Sequence, residues 1–199
     1  MVATFPGGGT LRGSGAFIGP KGILTAGHIV YQEDYGIAES ITIYPGGSNS
    51  DYSPLEKDEI YISPDWYSKE KDDKDYAVIT VTEKAGAGHW GTMYYGKNAS
   101  LLEESVYRLG FPTDKSSGSL WKSGAKKIGS ATTNLFYHEG YVVSGESGGP
   151  VISTETSYIL GIQIGVHEYN DGHRTCVVQR ISQELLQFLF DYGGATPGE

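Results

Sequence analysis

The sequence predicts an all-β protein that ends in a helix. Gly accounts for 29 of the 199 residues and Tyr for 15, and Gly-rich turns between aromatic and β-branched runs are typical of β-sheets. Short strand-like runs recur along the chain and are separated by Gly, Pro, Asn or Asp. A helical spacing of apolar residues is convincing only near the C-terminus.

The predicted strands follow one another through most of the chain. The first two flank Gly19-Pro20-Lys21, which is typical of a hairpin turn. In chain order the predicted strands are Ala16–Ile18, Gly22–Thr25, Ser40–Tyr44, Tyr76–Val81, Ser105–Leu109, Lys127–Thr132, Tyr141–Ser144, Val151–Ser153, Ile159–Ile164 and Thr175–Gln179.

The predicted helix starts after Ser182, a residue type that commonly caps helix N-termini. Its apolar face is formed by Leu185, Leu186, Leu189 and Phe190, which recur at helical spacing. Gly193 is expected to end it.

Charge and hydropathy exclude two classes of partner. The formal net charge of −9 is a poor match for phosphate backbones, so no nucleic acid is expected. No run reaches the roughly 18 apolar residues of a membrane span, and Met1–Thr4 lacks the features of a signal peptide. We therefore expect either a cytoplasmic protein or the mature part of a secreted one. Cys176 is the only cysteine, which excludes an intramolecular disulfide.

The most informative segment is Gly145-Glu146-Ser147-Gly148-Gly149-Pro150. A serine nucleophile needs a tight turn and backbone N–H groups aimed at the developing oxyanion, which Gly145 and Ser147 are placed to supply. An ordinary Gly/Ser turn is the alternative. The segment also matches the Gly-x-Ser-x-Gly elbow of α/β-hydrolases, but that motif requires a helix after the serine. The residues after Gly149 read as a strand, which argues against the elbow.

A base and a carboxylate for this serine are found upstream. His28 follows the apolar strand Ile23-Leu24 and the small residues Ala26-Gly27, which leave room for an imidazole at a cleft. Asp75 opens the apolar run Tyr76–Ile79, so its carboxylate can enter the interior and orient the base. The order His28, Asp75, Ser147 is that of chymotrypsin-like enzymes.

Two other motifs are weak. Gly86–Gly91 formally matches the dinucleotide-binding Gly-x-Gly-x-x-Gly, but no helix pattern follows it. Asp72 and Asp73 lie in a charged run that reads as a solvated loop; a calcium site there lacks recognised ligand spacing.

These motifs resemble those of the bacterial glutamyl endopeptidases, a branch of the chymotrypsin-like serine proteases. The similarity covers roughly residues 10–190. It is carried by Thr25–His28, Asp75–Val78, Ser144–Pro150, Gly110–Lys115, Trp121–Gly124, Lys126–Ile128 and Gly161–Gln163. The resemblance implies two six-stranded antiparallel β-barrels and a C-terminal helix. Residues 1–100 would carry His28 and Asp75, and residues 101–199 would carry Ser147, with the boundary near Lys97–Glu104.

The chain departs from that family where the family recognises a substrate Glu. Gln163 replaces a His, and Val142 replaces a Thr or Ser. By the resemblance, the residues expected to line the pocket for the residue before the cleaved bond (P1) are Val142, Gln163, Gly165, Cys176 and Val178. An apolar or broadened P1 preference is expected. Strict Glu specificity stays open, because His138, His167 or His173 could enter the pocket and a processed N-terminus could add an ammonium.

The implied activity is that of a secreted serine endopeptidase with a His28-Asp75-Ser147 triad and an oxyanion hole from Gly145 and Ser147. The expected partners are protein or peptide substrates, and the protein is expected to be a monomer. No metal or other cofactor is implied. Two alternatives remain open: a catalytically silent binding protein with a protease fold, and an esterase of small molecules.

Overall fold

The computed structural model describes residues 1–82, 101–116 and 118–195. The strands of the N-terminal half are β1 (Val2–Thr4), β2 (Thr10–Arg12), β3 (Ala16–Phe17), β4 (Gly22–Thr25), β5 (Tyr31–Gln32), β6 (Gly36–Ile37), β7 (Ser40–Ile43), β8 (Leu55–Ile62) and β9 (Ala77–Val81). Seven of them form an antiparallel sheet in the order β2-β1-β7-β8-β9-β4-β3, and β5 and β6 form a separate hairpin. Helix α1 (Gly27–Val30), helix α2 (Pro64–Lys69) and a 3₁₀ turn (Asp72–Lys74) lie between strands.

The strands of the C-terminal half are β10 (Ser105–Gly110), β11 (Trp121–Lys122), β12 (Lys126–Ala131), β13 (Leu135–Glu139), β14 (Pro150–Ser153), β15 (Ile159–Glu168) and β16 (Arg174–Arg180). They are ordered β11-β10-β12-β13-β16-β15-β14, and β10 also pairs with β14. This second pairing closes a six-stranded barrel, with β11 as an extra strand beside β10. The predicted all-β class is confirmed.

The N-terminal sheet differs from the expected six-stranded barrel: among the described residues it has seven strands and stays open between β2 and β3. The segment that joins these edge strands bonds elsewhere. Gly13 N–H donates to Met1 O and Ser14 N–H donates to Ser147 O, so these backbone groups are not available to a ladder that would close the sheet.

One apolar cluster spans the two halves, and a second fills the C-terminal barrel. Ile162, Ile181, Leu185 and Leu189 pack in the same buried cluster as the strands of the N-terminal sheet. Burying this face stabilises the fold by about 25 cal/mol for each Å² removed from water.

The C-terminal helix, α3 (Gln183–Gly193), begins and ends nearly as predicted. Ser182 Oγ accepts the Leu185 N–H at 3.3 Å, which confirms the N-cap. The left-handed terminating residue is Gly194, with φ 59°, one residue later than expected. Phe188, rather than the exposed Phe190, packs inward against Tyr76.

Several features of the fold correct the sequence-based expectations: strands β1, β2, β5, β6, β11 and β13 were not predicted, and two larger differences follow. The strand predicted for Tyr141–Ser144 is wrong: this segment is a loop. Its backbone groups bond to side chains and to Thr113 N–H instead of to a neighbouring strand. Strand β8, which contains Glu56, Lys57, Asp58 and Glu59, was not predicted because its charges mask the alternation. The predicted boundary between domains stays a prediction, since residues 97–100 lie outside the described part.

Candidate active site

His28 lies just after the end of a buried strand, which positions it. All four residues of β4 are buried, and the chain then turns directly into α1. Gly27 allows this turn to pack closely, since a Cβ there would lie 2.7 Å from Trp66 Cδ1 and 3.1 Å from Asp75 Oδ1. Any larger residue would therefore require Trp66 to shift and would crowd the Asp75 carboxylate.

Asp75 is brought to His28 by the pairing of β9 with β4. In this register Thr25 lies opposite Ala77, so the residues just beyond these strand ends are neighbours. The Asp75 side chain is only 6% exposed, and the His28 side chain is 23% exposed.

Both carboxylate oxygens of Asp75 bond to His28. Oδ2 lies 2.6 Å from His28 Nδ1, and Oδ1 accepts the His28 backbone N–H at 2.8 Å. Because Nδ1 is held by a carboxylate, it carries the proton in the neutral ring and leaves Nε2 as the free acceptor. Burial alone would lower the pKa of His28, but the charge of Asp75 and the hydrogen bond to it prevail and raise that pKa above its ordinary value.

Ser147 lies on a loop that packs directly against the start of α1. A Cβ at Gly148 would lie 2.3 Å from Thr25 Oγ1 and 2.9 Å from Ala26 N, so the residue after Ser147 touches the residues just before His28. Gly145 has φ 92° and Gly148 has φ 80°, a backbone region that favours glycine. The predicted nucleophile and the predicted base are therefore placed on facing segments.

The loop also leaves two backbone donors free. Among the residues that the structure describes, no acceptor bonds to the N–H of Gly145 or of Ser147. Buried N–H groups are normally paired, so these two are available to a ligand.

A buried ion pair that the sequence analysis missed supports this loop. Glu146 Oε2 accepts the Val143 N–H at 2.7 Å, and Glu146 Oε1 lies 3.5 Å from Arg108 Nη1. Arg108 Nη2 donates to Tyr141 O at 2.8 Å. The two side chains are 8% and 14% exposed. Arg108 lies in the middle of a strand-like run, so only its position in the barrel identifies this role.

The predicted pocket residues differ in burial and in the part of the fold that holds them. Gln163 is buried, and its Nε2 donates to Val177 O at 3.0 Å and to Gly165 O. Cys176 and Val178 are fully buried, and Val178 packs in the core of the C-terminal barrel. Val142 is half-buried on the loop before Ser147.

A cleft adjoins the His28–Asp75 pair, and both residues line it. Its cavity of about 590 Å³ has walls from both halves of the molecule. Most of the lining outside that pair is apolar or aromatic and includes Trp66, Leu135, Tyr137, Ile164, Val166 and Val177.

The weaker sequence motifs gain no support as sites. Asp73 Oδ2 accepts a hydrogen bond from Asn134 Nδ2 at 2.8 Å. In residues 1–82, 101–116 and 118–195 no three His, Cys, Asp or Glu side chains group as metal ligands do. No helix in that same part of the chain has the length and apolar character to cross a bilayer. The Gly86–Gly91 motif lies outside the described residues.

A closed β-barrel packed on a second β-sheet, with a partly buried His–Asp pair facing a Gly-Glu-Ser-Gly loop, defines the chymotrypsin-like class. The trypsin-like peptidase domain family matches residues 13–162, and the chain belongs to that family.

Curated relatives confirm the resemblance to glutamyl endopeptidases. The chain is 32% identical over 149 residues to the glutamyl endopeptidase of Bacillus licheniformis, covering 72% of this chain and 46% of that protein. It is 34% identical over 145 residues to the extracellular metalloprotease of Bacillus subtilis (strain 168), covering 69% of this chain and 45% of that protein. For the glutamyl endopeptidase of Staphylococcus epidermidis the identity is 27% over 166 residues, covering 79% of this chain and 55% of that protein. The chain thus spans about half the length of the curated relatives it matches.

Solved structures show the same fold. A Glu endopeptidase in complex with MPD superimposes with a TM-score of 0.82 at 22% identity, covering 97% of this chain and 89% of that chain. The protease Anisep from Arthrobacter nicotinovorans superimposes with a TM-score of 0.78 at 18% identity, covering 98% of this chain and 94% of that chain.

Proposed function

We propose that this protein is a serine endopeptidase that cleaves peptide bonds through a triad of His28, Asp75 and Ser147. The observation that carries the proposal is the partly buried His28–Asp75 pair, with Nδ1 and Oδ2 2.6 Å apart, next to the segment that packs against the Ser147 loop. This pairing leaves Nε2 as the basic atom, which is what a serine nucleophile requires of its partner.

In the proposed reaction, Ser147 Oγ attacks the carbonyl carbon of the scissile bond while its proton passes to His28 Nε2. The carbonyl oxygen becomes an oxyanion. When the C–N bond breaks, His28 returns the proton to the leaving amine and an acyl-enzyme remains on Ser147. Water then attacks this ester while one of its protons passes to His28 Nε2. His28 returns that proton to Ser147 Oγ as the ester bond breaks and the acid product leaves.

Asp75 keeps the proton on Nδ1 in the resting enzyme and stabilises the imidazolium that forms during each step. The free N–H groups of Gly145 and Ser147 are the proposed donors to the oxyanion. Preorganised donors of this kind lower the barrier because they need no reorientation as the charge develops.

We further propose that the P1 side chain is neutral rather than strictly Glu. The two N–H donors of Gln163 already bond to backbone carbonyls, so neither is left for a substrate carboxylate. Burial lowers the pKa of His138, which makes the ring uncharged at neutral pH. A substrate carboxylate entering such a pocket would lose hydration without compensation.

Peptides are favoured over small esters as substrates by the size of the cleft. A cavity of about 590 Å³ beside His28 accommodates several residues of an extended chain. Its apolar walls suit the side chains that precede the cleaved bond.

Activity is tested with a denatured fluorescent protein substrate and with a serine-directed fluorophosphonate. We expect turnover and covalent labelling at Ser147, and Ser147→Ala should lose about 10⁴–10⁶ in kcat. Ser130→Ala, at an exposed position on β12, is the matched control. A Ser147→Ala variant that retained a tenth of the wild-type rate would refute the assignment. Activity on esters without peptide cleavage would favour an esterase, and a folded protein that neither turns over nor is labelled would favour a silent binding protein.

Specificity is tested by mass spectrometry of fragments from a denatured proteome digested with the enzyme. Cuts after several neutral residue types are expected. If more than nine-tenths of the cuts followed Glu or Asp, the pocket argument would be wrong and the strict glutamyl alternative would stand.

Secretion and a monomeric state are also proposed. Secretion is supported by the resemblance and by the name of the relative from Bacillus subtilis. Immunodetection in the culture medium of the native host tests secretion, and light scattering on a sizing column tests the monomer.

A further inference from the structure

Ser14 links the two halves of the molecule at the Ser147 loop. It lies between β2 and β3 in the N-terminal half and is only 1% exposed. Its partners on the other half are 131 and 97 residues away in sequence. A buried hydroxyl costs stability unless it is hydrogen-bonded, so the bonds that it makes identify its role.

Every polar group of Ser14 is used. Its hydroxyl donates to Gly145 O at 2.6 Å and accepts the Phe111 N–H at 3.0 Å. Its backbone N–H donates to Ser147 O at 2.7 Å. Its carbonyl accepts the Thr25 hydroxyl at 2.8 Å. One residue therefore bonds to both proposed oxyanion-hole residues and to the strand that leads to His28.

The bond to Gly145 O matters because the backbone of a glycine does not fix its own φ and ψ. With φ 92° and no side chain, Gly145 has little intrinsic preference between orientations of its two peptide planes. The plane before it is held by Thr113 N–H, which donates to Ser144 O at 2.9 Å. The plane after it is held by the Ser14 hydroxyl. The Gly145 N–H belongs to the plane before it, so the Thr113 bond orients that N–H directly. The Ser14 bond fixes the plane after it, and the two bonds together fix φ and ψ of Gly145.

We propose that Ser14 is a positioning residue of the oxyanion hole: its hydroxyl holds the peptide plane after Gly145 and its N–H holds Ser147 O, so that the loop keeps the shape in which the N–H of Gly145 faces the substrate. This inference rests on the proposed function. Ser14 touches no reacting atom, and it acts through Gly145.

The test compares Ser14→Ala with Ser153→Ala. Ser153 is the last residue of β14 and is also fully buried. Its hydroxyl donates to Glu104 Oε2 at 2.6 Å. Both variants lose a buried hydroxyl, so both should melt at a lower temperature. Only Ser14→Ala should lose kcat, by roughly 10- to 100-fold, below the 10²–10³ lost when an oxyanion donor is removed outright. Its KM should stay within about twofold.

Two further readouts separate positioning from general destabilisation. A peptide boronate places a tetrahedral oxygen in the hole, so its affinity for Ser14→Ala should fall by the same factor as kcat/KM. The affinity of an uncleavable peptide and the pH midpoint of kcat/KM should not change. Ser14→Cys, which keeps a weaker donor, should give an intermediate kcat. It also serves as the test if Ser14→Ala does not fold.

The inference is overturned if Ser14→Ala or Ser14→Cys, counted by active-site titration, matches Ser153→Ala in kcat and boronate affinity. It is equally overturned if KM rises while kcat is unchanged. A wild-type protein that is inert to substrate and to the fluorophosphonate would instead refute the proposed function, and this role with it.

Discussion

Removing Arg108 should destabilise the protein strongly, because it leaves the Glu146 carboxylate buried without its partner. The two charges are 3.5 Å apart, and at an effective dielectric constant of about 20 their attraction is about 5 kcal/mol. The bond from Arg108 to Tyr141 O adds about 1.5–3 kcal/mol. Desolvation offsets part of this sum, and the measured cost of breaking a buried pair is about 3–5 kcal/mol. Arg108→Met should therefore lower the free energy of unfolding by about that amount, or Tm by about 6–20 °C.

The second half of this prediction is that removing both charges costs less than removing one. Gln at position 146 can still accept the Val143 N–H, so Arg108→Met with Glu146→Gln should regain most of the stability. Urea unfolding at pH 7, followed by circular dichroism, measures both variants. An Arg108→Met cost below about 1 kcal/mol, or a double variant less stable than the single one, would refute the reasoning. In either variant kcat should stay low, because the loop loses its anchor at Tyr141.

Three other variants test separate parts of the structure. Asp75→Asn removes the charge that raises the pKa of His28. The acidic limb of kcat/KM, whose wild-type midpoint should lie above about 6.5, should therefore move to lower pH while the rate falls about 10⁴-fold; an unmoved midpoint in pH-rate measurements would contradict this. Gly148→Ala should cost at least about 2 kcal/mol more than Gly172→Ala in chemical denaturation. Both glycines have φ near 80°, but only at position 148 would the Cβ meet other atoms, so equal costs would argue against the close contact with Thr25. Ser182→Ala should lower the free energy of unfolding by about 1 kcal/mol through loss of the N-cap, measured by thermal unfolding. An unchanged stability would mean that the cap does not stabilise the helix.

Local sequence determined those features whose signal lies in a few adjacent residues. The turn at Gly19-Pro20-Lys21 and the cap at Ser182 were predictable because turn and cap chemistry is set by the residues themselves. The motifs around His28, Asp75 and Ser147 were recognisable because each places a reactive group among small or apolar neighbours. The family followed from those motifs, and the match over residues 13–162 agrees with it.

Local sequence failed where a segment is held by distant partners. Tyr141–Ser144 has the apolar pattern of a strand, yet its backbone bonds to Arg108, Glu146 and Thr113. Strand β8 shows the opposite error: its charges hide a strand that exists because β7 and β9 pair with it. Pairing across a sheet is decided by non-local contacts, which sequence periodicity does not record.

The sequence by itself therefore determined the all-β class and the residues that could do chemistry. Only the tertiary structure decided how they are held: the register of β4 on β9 that brings Asp75 to His28, the ion pair of Arg108 beneath the loop, and the bonds of Ser14 across the two halves. Ser14 shows the reason most clearly. A serine between two glycines carries no local signal, and its role arises only because folding places its hydroxyl 2.6 Å from a carbonyl 131 residues away.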